Sequence, residues 1–173
     1  AAFDEGRYAQ AFPSFGSERM GAPVVAFCRI DDHEIRTREP VMEPDALIVQ
    51  DPTLLHQADV FGGCRPAGFI LINSIRSFDE LGLGDFVASF RHERLLTVPA
   101  SEFAREHTGR AVANAALLGG FAALSGLISL DAMSRAIRER FSGNVAEGNV
   151  AAAQAAHDWV AGEMKELSGA VPA

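Results

Sequence analysis

Short apolar runs rich in β-branched residues constrain the fold of this chain more than any other feature. They cover residues 24–28, 46–49, 68–72 and 95–98, and each is bounded by Pro, Gly, Asp or Asn. Three of them lack polar alternation, which is typical of strands that are covered on both faces. The segments between the runs are long enough for crossover helices. The sequence therefore predicts an α/β fold in which helices cover a mostly parallel sheet.

The first run predicts a hairpin beside the main sheet. Asp31, Asp32 and His33 follow this run as a turn signal, and residues 34–38 are suited to return as the second arm. We expect this pair of strands to form an excursion from the parallel sheet.

Alanine-rich sequence after Pro99 predicts a helical C-terminal part. We expect a short helix to about residue 107, a nearly all-apolar and buried helix over 110–124, a helix capped by Ser129, and a last helix over about 144–167. The last helix carries small residues, which allow a neighbouring helix or another chain to approach closely.

The balance of charge argues against a nucleic-acid partner. Acidic residues outnumber basic ones by 23 to 15, so the formal net charge is −8. Such a surface repels phosphates unless its basic residues cluster on one face, and they do not cluster along the sequence.

Neither a membrane partner nor secretion is expected. No stretch reaches the roughly 18 uninterrupted apolar residues that a membrane span needs. The first residues carry acids where a signal peptide would carry basic residues. Two cysteines are also too few for a disulfide framework. We therefore expect a soluble, cytoplasmic protein.

The same two cysteines limit the metal chemistry of the chain. Two thiolates cannot supply the four ligands of an iron–sulfur cluster, and no Cys/His spacing of a zinc site is present. We expect Cys28 to be a small core residue of its strand, and Cys64 to be the more exposed thiol. The histidines are scattered, and no Ser/His/Asp or Cys/His constellation is recognisable. The sequence therefore assigns no catalytic residue and no metal ligand.

A loop over residues 12–23 is the candidate anion-binding segment. Its glycines let backbone amides approach a ligand, its serine hydroxyls can donate hydrogen bonds, and the fork of its arginine suits a phosphate or a carboxylate. The candidate cofactor-binding residues are Ser14, Gly16, Glu18, Arg19 and Gly21. The alternative is an ordinary surface loop in which Glu18 pairs with Arg19 or another neighbour.

Polar residues at the ends of two predicted strands form a second, weaker candidate. Gln50 and Asp51 follow one strand, and Asn73 and Ser74 follow the next. Ligands of open α/β sheets bind at the carboxyl ends of strands, so these side chains are placed where a site would be. Asp51 followed by proline equally suits the cap of a helix, and the Asn-Ser pair equally suits a turn. No G-x-G-x-x-G fingerprint is present.

Three segments taken together resemble the gamma subunit, or gamma domain, of the 2-oxoacid:ferredoxin oxidoreductases. They are AQAFPSFGSERMGAPV at residues 9–24, PDALIVQDPTLL at 44–55 and NAALLGGFA at 114–122, followed by the C-terminal helices. The match runs almost from end to end, and the ordered series is far more specific than any one segment. The resemblance implies a Rossmann-like domain that works within a larger assembly.

The resemblance also implies the chemistry of that assembly. In the family, thiamine diphosphate lies between the alpha and beta subunits, and iron–sulfur clusters take the electrons after oxidative decarboxylation of a 2-oxoacid to its coenzyme A thioester. The implied partners are alpha, beta and delta-type subunits and ferredoxin or a similar acceptor. This chain alone is expected to bind none of these cofactors and to be inactive by itself. The alternative is a scaffold that assembles the other subunits without contacting a ligand.

Within the family, the gamma part is implicated in coenzyme A binding. By position, the loop from Ser14 to Gly21 matches the loop that faces the reaction site, so its candidate residues carry that expectation. Met20 stands where the family often has a second basic residue, which excludes a phosphate contact there. The opening residues, ending in Gly6, look like the last turn of a helix. We therefore expect residues 1–173 to form one gamma-type domain that lacks its first strand–helix unit.

Overall fold

A computed structural model describes residues 1–14, 23–57 and 59–169 of the chain. Its strands are β1 (Tyr8–Ser14), β2 (Val25–Asp31), β3 (Ala46–Val49), β4 (Phe69–Asn73) and β5 (Leu95–Val98). Its α-helices are α1 (Gly84–Val87), α2 (Ala100–Thr108), α3 (Asn114–Ser125), α4 (Leu130–Arg140) and α5 (Gly143–Gly169). Short 3₁₀ helices lie at Phe3–Glu5, Pro52–His56 and His92–Arg94.

The main sheet is parallel and three-stranded, in the order β3-β4-β5. Leu71 of β4 and Leu96 of β5 are register partners on the face that packs against α3 and α5. Ile70 and Ile72 point to the opposite face, where an aromatic-rich cluster from the β3–β4 and β4–β5 connections covers them. The prediction of an α/β fold with strands covered on both faces is therefore confirmed.

The connections leave the sheet on opposite sides. Leu81 and Val87, in the segment after β4, belong to the cluster that covers Ile70 and Ile72. Ala100, at the start of the helix after β5, belongs to the cluster on the other face. Neighbouring strands whose connections diverge in this way leave a crevice between them at their carboxyl ends.

A hairpin stands beside the main sheet, but its second arm is not the one predicted. β2 pairs in antiparallel fashion with β1, from Tyr8 opposite Asp31 to Ser14 opposite Val25. Residues 34–38 form no strand. The sequence pattern missed β1 because it contains a proline and two alanines, residues with low intrinsic strand preference. Cross-strand pairing with β2 stabilises the extended conformation.

The exposure of the two cysteines is the reverse of the expectation. Cys28 is exposed on β2, and Cys64 is half-buried. The prediction of a core position for Cys28 was wrong because β2 lies in the two-stranded hairpin, whereas only the parallel sheet is covered on both faces.

The helical part follows the prediction with one shifted boundary. Ser129 caps α4 by accepting a hydrogen bond from the Ala132 backbone N–H, and α3 is buried as expected. α3 begins at Asn114 and not at residue 110, because Gly109 ends α2 in the left-handed region with φ of 72° and the chain must then reverse direction. In the described part of the chain, no helix is long and apolar enough to span a membrane.

Close packing of α3 against α5 gives a test of the core. A Cβ atom added at Gly119 would lie 2.0 Å from the carbonyl oxygen of Ala153, closer than any stable contact. We expect Gly119→Ala to lower the free energy of unfolding by about 1–3 kcal/mol, because the helices must move apart. Urea unfolding followed by circular dichroism measures this change.

Gly162→Ala is the matched control for that variant. Gly162 lies in α5, and a Cβ atom added there has nothing within 4 Å. Alanine is favoured over glycine within a helix by about 0.5–1 kcal/mol, so this variant should be more stable than the parent chain. Equal effects of the two substitutions would contradict the proposed close contact between α3 and α5.

A candidate ligand crevice at the carboxyl edge of the sheet

An open crevice lies where β3, β4 and the first turn of α2 meet. Its volume is about 310 Å³. The residues that line it are Gln50, Asp51, Pro52, Asn73, Ser101, Ala111 and Ala113. This is the carboxyl edge of the parallel sheet, next to the point where the connections after β4 and β5 diverge. Its position at this edge, where open α/β sheets generally bind ligands, makes the crevice a candidate site.

Asn73 is the residue that organises the crevice. Its Nδ2 group donates hydrogen bonds to the backbone oxygen of Gln50 at 2.9 Å and to Oγ of Ser101 at 2.8 Å. Its Oδ1 accepts a hydrogen bond from the backbone N–H of Ser101 at 3.1 Å. One amide at the end of the central strand thus joins the end of β3 to the start of α2.

Asp51 closes one side of the crevice and caps the helix that follows β3. Its Oδ1 accepts hydrogen bonds from the Thr53 backbone N–H at 2.9 Å and from Thr53 Oγ1 at 2.7 Å. The side-chain and backbone hydrogen bonds from Thr53 hold the pKa of the Asp51 carboxyl below its ordinary value. The stabilisation they provide is therefore present at neutral pH and is lost as the pH falls through the lowered pKa. The predicted capping role is confirmed.

Among the described residues that line it, the crevice is polar and carries no cationic side chain. Its charged group is the Asp51 carboxylate, which stays ionised at neutral pH. A phosphate bound here would need positive charge from outside the crevice, whereas hydroxyl or amide groups would find hydrogen-bonding partners within it.

The structure places one of the predicted cofactor-binding residues. Ser14 ends β1, is exposed, and pairs with Val25 across the hairpin. It is not among the residues that line the crevice. The other four predicted residues, Gly16, Glu18, Arg19 and Gly21, lie outside the described residues.

Sequence reasoning found three of the seven residues that line the crevice. Gln50, Asp51 and Asn73 were candidates because they follow strands, and all three line it. The fourth candidate, Ser74, does not line it, and its Oγ accepts a hydrogen bond from the Arg76 backbone N–H within a turn. Ser101 was missed as a crevice residue, although a serine in the first turn of a helix after a strand is a recognisable signal. Nothing in the sequence marks Ala111 or Ala113, which line the crevice because the chain turns there before α3. Within residues 1–14, 23–57 and 59–169, no three or more His, Cys, Asp or Glu side chains are grouped for a metal ion.

The fold and the crevice define a class of protein, an α/β layered domain with a candidate ligand crevice at the carboxyl edge of its parallel sheet. Comparisons with known proteins identify the family within this class. The family model for pyruvate ferredoxin/flavodoxin oxidoreductase matches residues 1–159. The chain is 39% identical over 158 residues to pyruvate synthase subunit PorC of Methanothermobacter marburgensis, covering 91% of this chain and 84% of that protein. It is 42% identical over 158 residues to the pyruvate/ketoisovalerate oxidoreductases common subunit gamma of Thermococcus kodakarensis, covering 90% and 83%.

Solved structures agree with these relatives. The crystal structure of pyruvate oxidoreductase subunit PORC from Thermotoga maritima superimposes with a TM-score of 0.73 at 30% identity, covering 91% of this chain and 82% of that chain. The chain belongs to the pyruvate ferredoxin/flavodoxin oxidoreductase family, and within it to the gamma-type subunits.

Asn73 offers a direct test of how the crevice is held. Replacing Asn73 with alanine removes three hydrogen bonds and leaves the Gln50 carbonyl and the Ser101 N–H without their partner. We expect Asn73→Ala to lower the free energy of unfolding by about 1–3 kcal/mol. Chemical denaturation of the purified variant measures this loss.

Asn149→Ala serves as the comparison for that variant. Within the described part of the chain, the amide of Asn149 donates to the Val145 carbonyl of its own helix and to no other element. Alanine there should change the stability by no more than about 0.5 kcal/mol. If both asparagine variants unfold at the same denaturant concentration, Asn73 does not join the three elements energetically.

Proposed function

We propose that this chain is the gamma-type subunit of a multisubunit 2-oxoacid oxidoreductase. In this proposal the assembly decarboxylates a 2-oxoacid oxidatively, forms its coenzyme A thioester, and passes the electrons to ferredoxin or a similar acceptor. The observation that carries the proposal is the family match over residues 1–159, together with curated relatives that are themselves named as subunits of such enzymes.

We assign the redox and decarboxylation cofactors to other subunits of the assembly. Thiamine diphosphate would supply the decarboxylation chemistry there, and the iron–sulfur clusters would take the electrons. The two cysteines of this chain cannot ligate a four-thiolate cluster, and they lie on different elements, Cys28 on the hairpin and Cys64 after the turn at Gly62 and Gly63. The alpha, beta and delta-type subunits are accordingly its proposed partners.

The role we propose for the gamma chain itself is to bind part of coenzyme A or of the 2-oxoacid through the loop between β1 and β2. The loop contains Arg19, whose planar guanidinium can bind two oxygens of a phosphate or carboxylate at once. Gly16 and Gly21 allow the backbone close to such a ligand.

Arg19→Ala in the assembled oxidoreductase tests this assignment. A charge-assisted contact to an anion contributes about 1.5–3 kcal/mol, or roughly ten- to a hundredfold in affinity. We expect the variant to use coenzyme A or the 2-oxoacid more weakly by about that factor, with unchanged subunit and cluster content. The affinity of Arg19→Lys should lie between those of the parent chain and of Arg19→Ala, because lysine keeps the charge and loses the bidentate geometry. Steady-state kinetics with each substrate varied separately provide the measurement.

Arg36→Ala is the matched control in the same complex. Arg36 is exposed, and its ion-pair partner among the described residues is Glu34, two residues away, at 2.9 Å. Its loss should leave both Michaelis constants and the turnover unchanged. If Arg19→Ala behaves as Arg36→Ala does, or loses activity only because subunits separate, the chain is a scaffold that contacts no ligand.

A further inference from the structure

Three polar groups of the crevice have hydrogen-bonding capacity that the described residues leave unused. Thr53 donates twice to Oδ1 of Asp51, whereas Oδ2 accepts no hydrogen bond from the described part of the chain. Ser101 Oγ accepts from Nδ2 of Asn73, and its own hydroxyl proton has no acceptor among the same residues. The side-chain amide of Gln50, which is exposed, is likewise unpaired there. One open acceptor, one open donor and one amide therefore line the same crevice.

The remaining wall of the crevice is apolar and made of small side chains. It consists of Pro52, Ala111 and Ala113. The volume of about 310 Å³ lies at the lower end of the range for small-molecule sites. The crevice thus suits a small ligand that has hydroxyl groups along one edge and C–H groups on one face, and the ring of a sugar has both.

The charge of the crevice argues against an anionic group in contact with Asp51. Hydrogen bonds from Thr53 hold the pKa of the Asp51 carboxyl below its ordinary value, so the group is ionised at neutral pH. An ionised carboxylate accepts hydrogen bonds and cannot donate them, and it repels a phosphate or a second carboxylate. A hydroxyl that donates to it forms a charge-assisted hydrogen bond, which is stronger than one between neutral groups.

The position of Asp51 in the fold favours one kind of hydroxyl ligand. Asp51 follows the last residue of β3 by two positions, at the carboxyl edge of the parallel sheet. In α/β sheets that bind nucleotides, a carboxylate near a strand end accepts a hydrogen bond from a ribose hydroxyl. The glycine-rich fingerprint that holds the pyrophosphate of a dinucleotide is absent from residues 1–173. The sugar is therefore the part of such a ligand that this crevice matches.

We propose that the crevice binds the ribose-type vicinal diol of an uncharged ligand. One hydroxyl of the diol donates to Oδ2 of Asp51, and its neighbour accepts from the Ser101 hydroxyl. The Gln50 amide supplies a further donor and acceptor at the rim, and the C–H face of the sugar packs against the apolar wall. This proposal goes beyond the proposed function, because it assigns a ligand to a site that the loop containing Arg19 does not define.

Adenosine and 2′,3′-dideoxyadenosine test the proposal on the purified chain. The two probes differ only in the diol, and isothermal titration calorimetry measures the affinity of each. We expect adenosine to bind at least about tenfold more tightly, because the dideoxy compound lacks the hydroxyl that donates to a charged group. Equal affinities, or no measurable binding of adenosine at millimolar concentration, would overturn the proposal.

Methyl β-D-ribofuranoside distinguishes the two sources of such a diol. If it binds as tightly as adenosine, the ligand of the crevice is a free sugar. If adenosine binds more tightly and still depends on its hydroxyls, the ligand is a nucleoside. Both results support recognition of the diol.

Asp51→Asn tests the role of the carboxylate. Asparagine is as good a helix cap as aspartate, so its Oδ1 still accepts from Thr53, but an NH₂ donor replaces Oδ2 and the charge is lost. We expect the affinity for adenosine to fall about tenfold, while the melting temperature stays close to that of the parent chain. Differential scanning calorimetry provides the second readout.

Asp31→Asn is the matched control. Oδ1 of Asp31 also accepts the backbone N–H of the residue two positions later, His33, at 2.9 Å, and Asp31 does not line the crevice. This variant should bind adenosine as the parent chain does. If the two asparagine variants bind adenosine equally well, the crevice does not recognise the diol through Asp51, and the proposal is wrong.

The outcome is separable from that of the proposed function. The titrations use binding to this chain and need no catalysis, so an inactive assembly or a silent Arg19→Ala variant leaves them unchanged. Conversely, a chain that binds no adenosine can still assemble with the other subunits and support oxidation of a 2-oxoacid.

Discussion

The burial of β4 is the constraint on which the rest of the structure depends. Ile70, Leu71 and Ile72 are all fully buried. Because successive side chains of a strand point to opposite faces, apolar layers must cover both faces of β4. The aromatic-rich connections cover Ile70 and Ile72, and α3 with α5 covers Leu71. The close approach of α3 and α5, which requires glycine at position 119, completes the second layer.

The candidate crevice follows from this arrangement. Because the chain covers one face after β4 and the other after β5, their connections diverge at the carboxyl edge of the sheet and leave polar backbone groups there. Asn73, at the end of the buried strand, satisfies two of them, the Gln50 carbonyl and the Ser101 N–H, and also donates to the Ser101 hydroxyl. The half-buried amide of Asn73 thus orders the polar groups at the end of a core strand, where the candidate ligand site lies.

The β1–β2 hairpin links the core to the segment in which an anion site is proposed. Its strands flank that segment, and Ala9 and Ile30 pack against the buried cluster that includes residues of α4. The family relationship is consistent with a chain whose chemistry is completed by its partners.

The sequence by itself determined the parallel sheet, the helical C-terminal part and the family. Uninterrupted apolar runs such as 46–49 and 95–98 need cover on both faces, and local signals such as the Ser129 cap and the Gly109 stop act within one turn of helix. Asp51 was likewise predictable, because its cap depends on residues two positions away.

Only the tertiary structure decided the features that depend on distant residues. The strand β1 forms because it pairs with β2, although its own composition disfavours a strand, so residues 34–38 were chosen wrongly as the partner. Cys28 is exposed because its strand lies in the hairpin, which a local apolar pattern cannot distinguish from a strand of the main sheet. Ala111 and Ala113 reach the crevice because packing brings the segment before α3 beside the ends of β3 and β4, and proximity of this kind has no signature in a single sequence.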